Sequence, residues 1–253
     1  MIEAIARRFY DPSMLGMALM GSRARGEAQA FSDVDLVCLT TKETAPEPDT
    51  HYVDGQLVVV SYVTLEQAER WFVEPRQIVE VISNLRQAHI LIDEQGVYAT
   101  LQHRAEQFQW TDAHQAKANA YVSNELVGLI EEVHKGLNCL ASFHAGRFIN
   151  ATHGLAWGLT YIVLVYHGVL AGGDNTLITS AQQAVGYDSE WSRLHRIVYG
   201  LVPSTEVQPT RDDQLRASLR LYQLTYEMCQ TACTAEHQTL IRTTLNFVDM
   251  RLA

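Results

Sequence analysis

The sequence is short of positive charge. Lys and Arg total 19 against 29 Asp and Glu, giving a net charge of −10 and a pI near 5.4. Such a chain would have to assemble a basic face locally before it could grip a phosphate backbone, so nucleic acid is disfavoured as a partner. An unbroken membrane-spanning run is also lacking. The longest uncharged stretch, Phe148 to Gly173, is interrupted by Asn150, Thr152, His153 and several glycines, and it reads as a buried bundle helix. Met1 to Tyr10 carries Glu3, Arg7 and Arg8 in an amphipathic pattern, which is not the pattern of a secretory signal. Cysteine is sparse: Cys38, Cys139, Cys229 and Cys233 are scattered through expected strand and helix interiors, as reduced, buried thiols of a cytoplasmic protein would be. Cys229 and Cys233 lie one helical turn apart, a packing spacing. His134, His144 and His153 show no His-x3-His spacing and read as surface or core side chains. Repeats and low-complexity tracts are absent as well.

What the chain does have is enough apolar substance, 47% of 253 residues, for one large domain or two ordinary ones. Its informative stretch runs from Met14 to Thr41. An apolar strand, Leu15 to Met20, meets Gly21-Ser22, a polar loop follows, and a second apolar strand begins around Asp33-Val34-Asp35. Strand residues two apart share a face, so Asp33 and Asp35 project side by side while Val34 faces the core. Two carboxylates so close repel unless a cation lies between them, and a hard, oxygen-preferring cation such as Mg²⁺ fits. The Gly21-Ser22 turn offers backbone N–H groups and a hydroxyl to a phosphate, and Gly26 loosens the loop that follows. Adjacent phosphate and metal sites suggest a nucleoside triphosphate.

This arrangement resembles the signature of the nucleotidyltransferase superfamily typified by DNA polymerase β: an apolar residue with Gly-Ser, an intervening loop, then two aspartates alternating with apolar residues. Gly21, Ser22, Asp33, Asp35 and Leu36 fit it. Within the superfamily the chain looks like the aminoglycoside and other antibiotic nucleotidyltransferases. The resemblance implies that Asp33 and Asp35 hold one or two Mg²⁺ ions and that Gly21 and Ser22 anchor the β and γ phosphates. Arg23 and Arg25 would pair with phosphate. The family's third carboxylate normally stands on a neighbouring strand; here that strand reads Leu57-Val58-Val59-Val60-Ser61-Tyr62, with Val59 where an acid is expected. Asp54 is the nearest acid, but a role in the Asp54-Gly55 turn accounts for it.

The remaining elements follow from local chemistry. A short helix, Ile2 to Phe9, ends at Asp11-Pro12-Ser13. The loop Lys42 to Thr50 has two prolines that forbid pairing. His51–Val53 and Gln56–Val63 form a hairpin around Asp54-Gly55. Thr64 and Gln67 make a capping box for a helix to about Phe72. Pro75 opens another helix to Ser83, and Ala88–Ile92 is a last strand. Beyond Thr111 the pattern is helical: a long helix capped by Asp112 carries Val122, Leu126, Leu129, Val133, Leu137 and Leu140 on one seam. A second spans Arg147 to Leu170, with Gly172-Gly173 as its C-cap and loop. Further helices run Thr176–Val185, Ser189–Tyr199, Asp212–Thr231 and Ala235–Arg251.

The expected fold is therefore α+β: a small mixed-sheet nucleotidyltransferase domain over residues 1–108, then an all-α bundle over 109–253 that binds the acceptor. The resemblance to kanamycin-type enzymes implies a glutamate base on the first bundle helix, and Glu131 and Glu132 are its candidates. Glu131 with Lys135 is also an ordinary solvated helix pair. The expected activity is Mg²⁺-dependent transfer of a nucleoside monophosphate from an NTP, ATP first among them, to a hydroxyl of a small acceptor such as an aminoglycoside, by a monomer or homodimer. Two alternatives stand beside it: a nucleotide-binding regulatory module without turnover, suggested by Val59, and a nucleotidyltransferase that modifies another protein.

Overall fold

The structure is a computed structural model that describes residues 2–252. It divides into two compact units. One comprises Met1–Trp110 together with Leu170–Asn175, the other Thr111–Val169 with Thr176–Ala253.

The first unit is built on a five-stranded mixed sheet. In chain order it contains α1 (Ile2–Arg8), β1 (Met14–Met20), a single helical turn α2 (Gly21–Ala24), β2 (Val34–Thr40), β3 (Asp49–Val53), β4 (Gln56–Thr64), α3 (Leu65–Arg70), α4 (Pro75–Arg86), β5 (His89–Ile92) and α5 (Val97–Glu106). The strand order is β3-β4-β2-β1-β5. β1 runs antiparallel to β2 and β5, while β2 and β4 are parallel. All seven residues of β1 are buried. This follows from its place inside the sheet, with both faces covered. Leu15, Ala18 and Met20 join Ile78, Ile82 and Leu85 of α4 in one core, and Met17 and Leu19 join Ile5, Val34, Leu36 and Val58 in the other.

Local signals place these elements. The hairpin turns at Asp54 (φ 50°) and Gly55 (φ 78°), both left-handed, as a tight two-residue turn requires. The Thr64–Gln67 capping box is formed on both sides. α4 starts at Pro75 and continues to Arg86, beyond Ser83, because Ile78, Val79, Ile82 and Leu85 keep one apolar stripe buried. Gly16 lets Tyr98 of α5 lie against β1: a Cβ there would stand 2.9 Å from the Tyr98 ring. The buried Tyr98 hydroxyl donates to Val37 O at 2.8 Å and so ties α5 to β2.

The second unit is helical: α6 (Asp112–Gly128), α7 (Ile130–Ala141), α8 (Ala145–Ile149), α9 (Leu155–Tyr166), α10 (Leu177–Ala184), α11 (Glu190–Tyr199), α12 (Arg211–Cys229) and α13 (Ala235–Leu252), with a π-helical stretch Asn150–Gly154 joining α8 to α9. Three expectations are corrected here. The long first helix is two, divided at Leu129. Its N-cap is Thr111, which forms a capping box with His114, and Asp112 is the first helical residue. The apolar helix ends at Tyr166 and not Leu170, so Gly172-Gly173 is no C-cap; positive φ falls on Gly168 (62°) directly after the helix. Ala145–Tyr166 is the one described segment long and apolar enough to cross a membrane, and 61% of its apolar 18-residue window is buried within the protein. The four cysteines are unpaired and buried, and burial pushes the Cys38 and Cys229 thiols up to about 12. His195 packs flat on Trp191 and hydrogen-bonds with Thr160 and Gln182; burial lowers its pKa to about 4, so it is a neutral core side chain.

Replacing Tyr98 by Phe removes the hydroxyl and with it the bond to Val37 O. Urea denaturation should show a loss of about 1–2 kcal/mol with little change in m-value.

Candidate functional site

Asp33 and Asp35 stand at the start of β2 and line one cavity of about 500 Å³ together with Gly21, Ser22 and Arg25. Val34 between them is fully buried, as strand alternation requires. The β1–β2 register pairs Met20 with Asp35, which sets the next residue, Gly21, directly against the Asp35 carboxylate. Gly21 has φ 69°, and a Cβ built on it would overlap Asp35 Oδ2. Glycine is needed there twice over, for the left-handed backbone and for the space.

Asp35 is half-buried and its pKa is raised to about 6. Burial is the main cause; the neighbouring charge of Asp33 adds to it, Arg25 opposes it, and Asp174 adds a further upward push. A carboxylate so destabilised is poised to accept a compensating cation.

The two arginines have different roles. Arg23 donates from Nε to Asp33 O at 2.7 Å and from Nη2 to Ser32 O at 2.6 Å, and it also bonds Gln56. Its guanidinium thereby fixes the loop that carries Asp33. Arg25, whose side chain is only 8% exposed, lines the cavity and is held by Glu27 at 2.7 Å and Asn84 at 2.8 Å. Its charge remains close enough to act on Asp35.

Val59 of β4 is the register partner of Asp35, so the neighbouring strand supplies no acid opposite it. Asp54 sits at the hairpin tip, paired with Arg8 at 3.4 Å. Glu131 and Glu132 lie on α7 in the helical unit, where both pair with Lys135, at 3.0 and 2.9 Å; Glu132 Oε2 is buried without a hydrogen-bond partner among the described residues. His134 packs on Phe247, His144 caps α8, and His153 packs on Tyr199.

Sequence reasoning missed Gly173, Asp174 and Asn175. They belong to the sheet unit and line the same cavity as the aspartate pair. The only local signal was Gly172-Gly173, a pair of glycines in a stretch that sequence assigns to a bundle. A roomier cavity of about 1130 Å³ lies within the helical unit, bordered by Arg193, Arg196 and the loop around Pro203, and it contains none of the predicted site residues.

The first unit is thus a mixed-sheet α+β domain in which Asp33 and Asp35, at the start of β2, share a cavity with Gly21 and Ser22. Residues 2–91 match the family model described as a nucleotidyltransferase domain, and the N-terminal part of the chain is accordingly a domain of the nucleotidyltransferase superfamily. The fold is similar to a crystal structure described as a nucleotidyltransferase-like protein from Exiguobacterium sibiricum 255-15, with a TM-score of 0.52 and 15% identity over 92% of this chain and 77% of that one. At that identity the likeness concerns the fold. No curated protein matches the sequence significantly.

The raised pKa of Asp35 has a stability consequence with a definite sign. The protonated form is the one favoured in the fold, so its contribution is complete below about pH 4 and is lost as pH rises through about 6. In metal-free buffer, Asp35→Asn should therefore melt higher than wild type at pH 8, with the advantage vanishing near pH 4. Gly21→Ala should destabilise at every pH, by about 2 kcal/mol or more in urea unfolding, because strain and overlap act together.

Proposed function

We propose that the protein is a Mg²⁺-dependent nucleotidyltransferase that moves a nucleoside monophosphate from an NTP, with ATP as the first substrate to test, to a hydroxyl of a small acceptor. The observation that carries this reading is the Asp33–Asp35 pair sharing one cavity with Gly21 and Ser22, with Asp35 packed on Gly21, inside a domain of the nucleotidyltransferase superfamily.

The residues present suit a hard divalent cation. Both carboxylates open on one cavity, and Asp35 is short of a counter-charge. Among the described residues no three His, Cys, Asp or Glu groups converge as a complete metal cage, so phosphate oxygens and water would complete the coordination, the usual mode for Mg²⁺. When bound, Mg²⁺ supplies charge neutralisation for the triphosphate and for departing pyrophosphate. Asp33 and Asp35 would orient that charge, Ser22 and the Gly21 backbone would hold the β and γ phosphates, and Arg25 would face the phosphates from the cavity wall. Arg23 serves the same end indirectly by bracing the loop of Asp33. The acceptor hydroxyl attacks the α-phosphorus, and its proton passes to a carboxylate, for which the sequence offers Glu131 and Glu132 on α7.

The net charge of −10 supports a polycationic acceptor of aminoglycoside type, whose local concentration an acidic protein raises; modification of an antibiotic in the cytoplasm is the corresponding cellular role. A second reading, nucleotide binding without efficient turnover, is favoured by one observation, Val59 opposite Asp35.

The test is incubation with Mg²⁺, labelled ATP, GTP, CTP or UTP, and panels of aminoglycosides, lincosamides and proteins. Acceptor-dependent pyrophosphate release is expected, and it should disappear in Asp33→Asn and Asp35→Asn. Tight nucleotide binding without release under every condition would favour the second reading. Glu131→Gln and Glu132→Gln, made separately, should divide the pair: the true base lowers turnover about a hundredfold or more while nucleotide affinity stays as it was.

A further inference from the structure

The sheet of the first unit supplies two carboxylates to the cavity where a third would be expected, because β4 presents Val59 to Asp35. A further acid arrives from a distant part of the chain. Leu170–Asn175 lies in sequence among the bundle helices yet belongs to the sheet unit. Its docking is specific. Leu170 packs on the core of α4, and Ala171 is fully buried and donates its N–H to Val79 O at 2.9 Å. Gly173 adopts φ 140° against the Arg25 guanidinium, where a Cβ would come within 3.0 Å of Nη2. That anchor delivers Asp174 and Asn175 to the wall of the cavity that Asp33 and Asp35 line. Glu80, the other acid on this wall, is paired with Arg76 at 3.0 Å.

We propose that Asp174 is the third carboxylate of the site, replacing the acid missing at Val59 and strengthening the hold of the aspartate pair on a divalent cation and its nucleotide through ordered water. Action through water follows from the geometry, since no three acidic groups converge at ligand distance among the described residues. The proposal rests on the reading that Asp33 and Asp35 hold the cation, and it makes Asp174 a positioning residue contributed from outside the matched domain at 2–91.

The experiment uses the full chain, Mn²⁺ as a spectroscopic stand-in for Mg²⁺, and α,β-methylene ATP, which cannot transfer its nucleotidyl group. Free Mn²⁺ is followed by electron paramagnetic resonance, and hydrogen exchange at the Ala171 amide reports whether the segment stays docked. Asp174→Asn should weaken Mn²⁺ binding about tenfold with Ala171 still protected. Asp174→Glu should recover most of the affinity, and Glu80→Gln should bind as wild type does. If Asp174→Asn binds Mn²⁺ like wild type while Asp35→Asn does not, the assignment of Asp174 is overturned and the aspartate pair stands. Weakened binding together with loss of Ala171 protection would reduce Asp174 to a docking residue and overturn it equally. If Asp35→Asn also binds like wild type, the proposed function itself falls.

Discussion

The first unit depends on how closely the end of β1 approaches the start of β2. Pairing Met20 with Asp35 leaves no room between the next backbone position and the Asp35 carboxylate, and only Gly21, in a left-handed conformation, fits. Ser22, the next residue, lines the same cavity as that carboxylate. The apolar residues around it supply the rigidity. Val34 and Leu36 point into one core, Leu39 and Met20 into the other, so β2 cannot slip by one residue without exposing its buried set. A strand locked in this way can carry two acids at its end despite their repulsion.

The repulsion is the chemical asset of the site. A half-buried Asp35 beside Asp33 is electrostatically unsatisfied, and the protein moderates this without cancelling it. Arg25 supplies an opposing positive charge, but Glu27 and Asn84 share its guanidinium. Arg23 turns to the carbonyls of Ser32 and Asp33 and stiffens the loop. Under the proposed function, an incoming cation would meet acids flanked by arginines that are already held by hydrogen bonds, the condition under which binding energy is not spent on ordering side chains.

The helical unit has its own core and its own polar economy. Trp191, His195, Thr160 and Gln182 form a buried stack and hydrogen-bond set that keeps the imidazole neutral. Tyr222 donates from its buried hydroxyl to Leu126 O at 2.8 Å, joining α12 to α6. Glu131 and Glu132 share one lysine, an arrangement in keeping with their helical spacing.

Much of this was legible from residue order, and for a common reason. Alternation at Asp33-Val34-Asp35, the Asp54-Gly55 turn, the Thr64–Gln67 box and Pro75 at a helix start are signals whose physics is complete within a few residues, so neighbours alone decided them. The α+β class followed from their succession. Where the sequence misled, the deciding partner was remote. Whether Arg23 would face a phosphate or a carbonyl depended on Gln56 and the loop at Ser32; the end of the apolar helix and the fate of Gly172-Gly173 depended on Val79 and Arg25. Asp174 reads in sequence as one acid in a loop between helices, and only chain folding over a long separation brought it to Asp33 and Asp35. Short-range sterics and hydrogen bonding wrote the strands, turns and acid pair into the sequence, whereas the composition of the cavity wall required the docking of Leu170–Asn175, a contact no local pattern encodes.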